Sequence, residues 1–164
     1  MAGAFASRRL QRELPKLQAT TSPGIKLVSA TDLQEWLIDI QVMDSAHPLY
    51  AGQTYRLRFR FSGKYPIEAP EVMFIRATAA SCWDQKPRSI PMHPHIYSNG
   101  IICLDLLDKA GWSPVQNVES VSMSLQSMLA GNYKNERPEG DEVFVRTNTQ
   151  RPRDVNFEFH DDDC

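Results

Sequence analysis

Two histidines, a cysteine and two carboxamide or carboxylate side chains fall within one short stretch, Met92-His93-Pro94-His95-Ile96-Tyr97-Ser98-Asn99-Gly100-Ile101-Ile102-Cys103-Leu104-Asp105. Asn99-Gly100 is a strong tight-turn pair, because both residues tolerate positive φ. A turn there folds His93 and His95 back toward Cys103. A thiol beside imidazoles offers nucleophilic or metal chemistry. The residues alone leave a second reading open, in which Cys103 is a small buried hydrophobe between Ile102 and Leu104. Zinc is not expected: His93, His95, Cys103 and a distant Cys82 lack the paired spacing of structural sites.

The elements around this stretch read as one domain of the α+β class. Leu10, Leu14 and Leu17 recur at helical spacing near the N-terminus, with Arg8, Arg12 and Lys16 on another stripe. Pro15 predicts a kink or an end of regular helix near Leu14, since an interior proline costs about 3 kcal/mol. Thr20-Thr21-Ser22-Pro23-Gly24 reads as a loop. In residues 33–42, Trp36, Ile38, Ile40 and Val42 share one parity, and Glu35 and Asp39 the other. In residues 55–61, Tyr55, Leu57, Phe59 and Phe61 face one way, and Arg56, Arg58 and Arg60 the other. That alternation predicts strands packed on one side and wet on the other, the arginines pairing across strands with Glu35 and Asp39. With Val72-Met73-Phe74-Ile75 and residues 25–28 they make a four-stranded antiparallel meander. Residues 77–97 show no period and carry Pro87, Pro91 and Pro94. A second helix begins after an N-cap at Asn117, with Val118, Val121, Leu125, Met128 and Leu129 as its apolar stripe, and stops near Gly131. Beyond Tyr133 the chain is polar, without an amphipathic pattern.

Composition narrows the function. A chain of 164 residues suits one domain of the common ~100–150-residue size plus a tail. Hydrophobic content of 41% excludes wholesale disorder, and a net charge of −2 gives no pull toward nucleic acid or anionic lipid. No apolar run reaches the ~18–20 residues of a membrane span. Residues 1–17 lack a signal-peptide core, so secretion is not expected. Three cysteines, Cys82, Cys103 and Cys164, make no complete disulfide framework and fit a reducing compartment, cytoplasm, nucleus or both.

His-Pro-x-Ile, then Asn-Gly, then Ile-Cys-Leu-Asp-Leu-Leu, then Trp112-Ser113-Pro114, resembles the active-site signature of ubiquitin-conjugating enzymes, the E2 family. Tyr65-Pro66 with Pro70 resembles that family's Tyr-Pro…Pro strand, and Arg9-Leu10-Gln11-Arg12-Glu13-Leu14 its first helix. His95 where most members carry asparagine, with Arg137-Pro138, Phe144-Val145-Arg146-Thr147 and the terminal His160-Asp161-Asp162-Asp163-Cys164, resembles the W-type branch, associated with transfer to substrate α-amines. The resemblance implies a UBC-like fold with a core domain at 1–132 and a divergent, partly disordered C-terminal segment at 133–164. It implies that Cys103 takes ubiquitin from an E1 enzyme as a thioester, with no cofactor, and that an amine on a protein substrate then attacks. His95 either donates to the developing oxyanion or packs structurally. Asp105 matches an acidic gate position of lysine-directed members and departs from the W-type; Asp141 or Glu142 is the candidate for a second gate, and Asn99 for a supporting role. The resemblance further implies E1 contacts at Arg8 and Arg12, and RING-type E3 contacts at Arg9, Pro66, Ile67, Ser113 and Pro114. Ile67 replaces the aromatic usual in RING-binding members. Residues 77–91 are longer than that family's usual connection. The alternatives are a lysine-directed E2, an E2 for another ubiquitin-like protein, and an inactive E2-like binding module.

Overall fold

The period-2 runs become a four-stranded antiparallel sheet, β1 (Ile25–Ser29), β2 (Glu35–Gln41), β3 (Thr54–Arg60) and β4 (Glu71–Ile75), in the order β1-β2-β3-β4. The computed structural model describes residues 3–20, 22–148, 150 and 155. Met1, Ala2, Thr21 of the expected loop and the terminal 160–164 motif lie outside the described residues. One face of the sheet is apolar: Trp36, Ile38 and Ile40 of β2, Tyr55, Leu57 and Phe59 of β3, and Val72 and Phe74 of β4 are all buried. Two helices cover that face, α1 (Ala4–Gln18) through Ala6, Leu10 and Leu17, and α2 (Val118–Ala130) through Val118, Val121, Leu125 and Leu129. α2 starts where its cap predicts. The Asn117 side chain accepts the Ser120 N–H at 2.8 Å, and the Ser120 hydroxyl accepts the Asn117 N–H at 2.9 Å.

α1 does not end at Leu14. It runs on to Gln18 with Pro15 inside it, and the Ala19 N–H still bonds the Pro15 carbonyl at 3.0 Å. Pro15 removes one donor to the Gln11 carbonyl, and both residues lie on the exposed side, so the freed oxygen is not stranded in the core. Leu17, one turn on, is buried, and its packing outweighs the lost bond.

One carboxylate joins the two helices and the loop between β3 and β4. Glu13 is buried; its Oε2 accepts from Arg9 Nε at 3.0 Å and from the Tyr65 hydroxyl, and its Oε1 accepts the Val118 N–H at 2.9 Å. The Val118 amide is among the unpaired donors of the α2 N-terminus, where negative charge is favoured.

The opposite face of the sheet is not the wet surface its parity predicts. Asp39 and Arg56 pair across β2 and β3 as expected, at 2.9 and 3.1 Å, yet both are buried. Residues 77–91 lie over them. The segment is pinned where Ala77 and Arg88 exchange backbone bonds of 3.1 and 2.8 Å. Arg88 then reaches Asp39 Oδ2 at 2.9 Å and Asp84 at 3.0 Å, and the Trp83 indole donates to the same Asp39 oxygen at 2.8 Å. Burial alone would raise the Asp39 carboxyl, but the bonds from Arg56, Arg88 and Trp83 outweigh it and hold its pKa below the ordinary value. Arg60 keeps the expected exposed pairing, 3.7 Å from Glu35. A third helix, α3 (Asp141–Thr147), was not legible beforehand: seven residues span two turns, too few to show a period.

Glu13→Gln is expected to lower stability by about 3 kcal/mol, because it removes a buried charge that two donors and a helix end require. Arg12→Gln, on the exposed side of α1, should change it by less than about 0.5 kcal/mol. Urea unfolding of both variants checks this, and equal losses would contradict it.

Candidate functional site

β4 ends beside the turn that carries the predicted site. The Phe74 N–H bonds the Gly100 carbonyl at 3.0 Å, and a Cβ on Gly100, whose φ is +95°, would fall 1.9 Å from the Phe74 carbonyl oxygen. Glycine is therefore required on two counts, left-handed backbone and contact. Asn99 Oδ1 accepts the Ile101 N–H at 3.1 Å and closes the turn. The two arms pair through Tyr97 N–H to Ile101 O at 2.9 Å and Cys103 N–H to His95 O at 2.8 Å, with Ile96 opposite Ile102 between them. Ile96 and Ile102 point into the core. By the alternation of paired strands His95, Tyr97 and Cys103 share the other face. Cys103 is half-buried and borders a groove of about 500 Å³, lined among others by Pro94, His95, Leu104, Asn132 and Tyr133.

His93 holds the first arm from behind. Its Nδ1 accepts the His95 N–H at 2.9 Å, which puts the ring proton on Nε2, facing the Met128 backbone. The ring is buried. Burial, then the neighbouring His95, push its pKa down to about 4, so it is neutral across the working range.

The polar C-terminal stretch supplies the rest of the frame. Arg137 donates to three carbonyls of the loop, Pro91 at 2.6 Å, Ile96 at 3.0 Å and Ile90 at 3.1 Å. Asp141, at the start of α3, accepts the Ser98 N–H at 2.8 Å, and Phe144 stacks on Tyr97 with ring centroids 3.9 Å apart. Asp141 thus reaches the turn. Asp105 is exposed and opens a short turn, Asp105–Leu107, against which Gly111 packs so closely that a Cβ would lie 2.1 Å from the Asp105 carbonyl oxygen. Among the described residues no three His, Cys, Asp or Glu side chains are placed to hold a metal ion.

Several of the predicted docking residues are tied into the loop at Trp112–Gln116. Arg9 donates to the carbonyls of Pro114 and Gln116 at 2.9 and 2.8 Å, and the Trp112 indole donates to the Pro66 carbonyl at 2.7 Å. Ile67, Val115, Arg8, Arg12 and Pro114 are exposed, Ser113 is half-buried, and Pro66, predicted as a contact, is buried. Tyr97, and the framing part of Arg137 and Phe144, had no signal from spacing; only the shared parity of Tyr97 with His95 points to it.

A family model described as "Ubiquitin-conjugating enzyme" matches residues 9–157. The chain belongs to the ubiquitin-conjugating enzyme family. It is 38% identical over 160 residues to the ubiquitin-conjugating enzyme E2 W of Caenorhabditis elegans, covering 96% of each chain. It is 38% identical over 157 residues to a probable ubiquitin-conjugating enzyme E2 W of Dictyostelium discoideum, covering 95% of each. Among solved structures, the E2 UbcA1 of Agrocybe aegerita superposes with a TM-score of 0.78 at 43% identity, over 92% of this chain and 100% of that one. The expected UBC fold and the resemblance to W-type members are both met by these relatives. The chain is accordingly an E2 and a transferase. No helix among its described residues is long and apolar enough to cross a membrane.

In this E2 the buried neutral His93 ties stability to pH. An unfolded histidine binds its proton near 6.5 and the folded one near 4, so the unfolded state holds more protons between those values and stability falls as pH falls through them. A loss of roughly 2–4 kcal/mol between about pH 6.5 and 4 is expected from urea titrations. His93→Asn, which keeps an acceptor for the His95 N–H, should flatten that slope; an unchanged slope would assign the loss elsewhere.

Proposed function

We propose that Cys103 carries ubiquitin as a thioester and passes it to the N-terminal α-amine of protein substrates. In the first step the Cys103 sulfur attacks the acyl carbon held by the E1 cysteine; the new C–S bond forms as the old one breaks, and the E1 thiol leaves with the proton. In the second step an amine nitrogen attacks the same carbon, the C–N bond forms, the C–S bond breaks, and the Cys103 thiolate is released while the amine's proton passes to water. The acyl group arrives already activated, so the thiol needs no dedicated base.

The observation that carries this reading is the placement of Cys103. It is half-buried, held by the bond from its N–H to the His95 carbonyl, at the edge of a groove of about 500 Å³. The backbone of His95 is used on both sides, by Cys103 and by His93, which supports a loop-shaping role for this residue. Amine preference follows from protonation. Near about pH 7.4 a lysine with pKa about 10.4 is only about 0.1% neutral, whereas an α-amine with pKa about 7.7–8.0 is about 20–30% neutral. A site that does not strip protons still works on the α-amine. Asp141 supports this, because its carboxylate is engaged by the Ser98 N–H. Asp105, exposed two residues past the thiol, favours a second reading in which lysine is also used. The surface formed by Arg8, Arg12, Ile67, Ser113 and Pro114, with Arg9 bracing it and the buried Pro66 beneath Ile67's loop, is the proposed dock for E1 and RING-type E3 partners.

Incubation with E1, ATP and ubiquitin is expected to give a thiol-reducible adduct, absent from Cys103→Ala. Its discharge is then offered a lysine-free peptide with a free N-terminus and a lysine-bearing peptide with a blocked one. Transfer to the first is expected. No adduct would leave an inactive binding module or a carrier of another ubiquitin-like protein, and transfer to the second alone would make the enzyme lysine-directed.

A further inference from the structure

Tyr97 shares a face of the paired arms with Cys103 and has no part in the steps described so far. It lies on the same face of the paired arms as His95 and Cys103, since Ile96 and Ile102, which alternate with them, are buried. His95 pairs with Cys103 and Tyr97 with Ile101, which makes Tyr97 the diagonal neighbour of Cys103. Diagonal neighbours across paired strands sit about 7–8 Å apart at the backbone, within reach of a long aromatic side chain. The phenol feels the negative charges of both Cys103 and Asp141; burial first, then those two charges, raise its pKa. It therefore stays protonated, a hydrogen-bond donor at every working pH.

Two contacts hold the Tyr97 ring in place. Phe144 stacks on the ring with centroids 3.9 Å apart and planes 25° from parallel, and Asp141, three residues earlier on the same helix, holds the Ser98 amide next to it. α3 thus clamps the ring from one side while the Tyr97 N–H and carbonyl are engaged by Ile101 and Gly100 from the other. A side chain that only filled space on a solvated loop would need neither clamp.

We infer that Tyr97 is a catalytic residue of this E2, its hydroxyl donating a hydrogen bond to the thioester oxygen as that oxygen becomes an oxyanion, with Phe144 as its positioning residue. This rests on Cys103 carrying the thioester. When the amine nitrogen adds to the acyl carbon, the C=O π electrons move onto oxygen, and the Tyr97 O–H bonds that oxygen without giving up its proton. Collapse restores the C=O, breaks the C–S bond and releases the Cys103 thiolate; the amine's proton passes to water. The role is distinct from that of His95, whose backbone shapes the arm on which Tyr97 sits.

The test follows single-turnover discharge. Wild type and Tyr97→Phe are charged to completion with E1, ATP and ubiquitin, freed of E1, and mixed with increasing concentrations of a lysine-free peptide. Tyr97→Phe keeps the ring that stacks on Phe144 and should discharge roughly 100-fold more slowly at saturating peptide, with the half-saturating concentration unchanged, as for loss of one oxyanion donor. Phe144→Leu should lower the same saturating rate, and Phe144→Tyr should restore it. Discharge of Tyr97→Phe within twofold of wild type would overturn the assignment. So would a loss confined to peptide affinity, which would make Tyr97 a binding contact. If wild type itself takes no ubiquitin, the thioester reading fails first, and the charging step shows that separately.

Discussion

Three backbone carbonyls, of Ile90, Pro91 and Ile96, converge on the guanidinium of Arg137. The rest of the site depends on that convergence, because the chain between β4 and α2 contains no long regular element to hold it. A helix or strand places its side chains by repeating backbone bonds; a loop has to be placed by bonds that occur once. Arg137 suits this because its fork of donors is planar and permanently charged, so several carbonyls are held at fixed relative positions by one rigid group. His93 works on the same segment from the α2 side, and Asp141 on the turn from the α3 side. The thiol is thus held through its neighbours' backbones, and it borders the groove together with His95.

Buried charge does the equivalent work elsewhere in the fold. Glu13 gathers α1, the Tyr65 ring and the first turn of α2, and Asp39 gathers β2, β3 and the long connection over the sheet. Such groups are costly to desolvate, and they persist because every oxygen that matters is matched by a donor. Their value here is geometric. Apolar packing alone is non-directional and would let a loop slide over the sheet, whereas a carboxylate that takes two arginines and an indole accepts one arrangement. Since residues 77–91 lead straight into residues 90–96, the Asp39 cluster also sets where the loop begins on its way to His93. The connection is therefore part of the same frame that carries Cys103.

What could be read beforehand divides along physical lines. β2 and β3 were legible because a sheet with one packed face writes its burial as strict alternation, Trp36-Ile38-Ile40 and Tyr55-Leu57-Phe59 against Glu35, Asp39 and the arginines. α2 was legible from its stripe and the Asn117 cap. The same parity misled on the outer face: it says which side a residue faces and nothing about what covers that side, and residues 77–91 carry no period from which a cover could be inferred. Pro15 misled because its penalty is local, while the burial of Leu17 that overrides it is tertiary. The motif around Cys103 was legible as a set of residue types, and Asn99-Gly100 as the turn that closes it. Arg137 and Phe144 were not, since their partners lie roughly forty to fifty positions earlier, and no local pattern encodes a contact across that separation.

The chemistry asked of such a site is modest, and the distribution of its carboxylates accounts for what it omits. Glu13 and Asp39 are consumed by the fold, Asp141 by the Ser98 amide, and Asp105 stands exposed, where solvent screens its pull on a proton. A carboxylate in that position favours an ammonium ion at least as much as it helps deprotonate one. Lowering a lysine by the two to three pH units that separate it from an α-amine corresponds to roughly 3–4 kcal/mol, more than exposed charges supply. Under the α-amine reading proposed above, a frame that commits these acids to holding its loops keeps precise placement of the acyl carbon and leaves the nucleophile to be one already neutral in water.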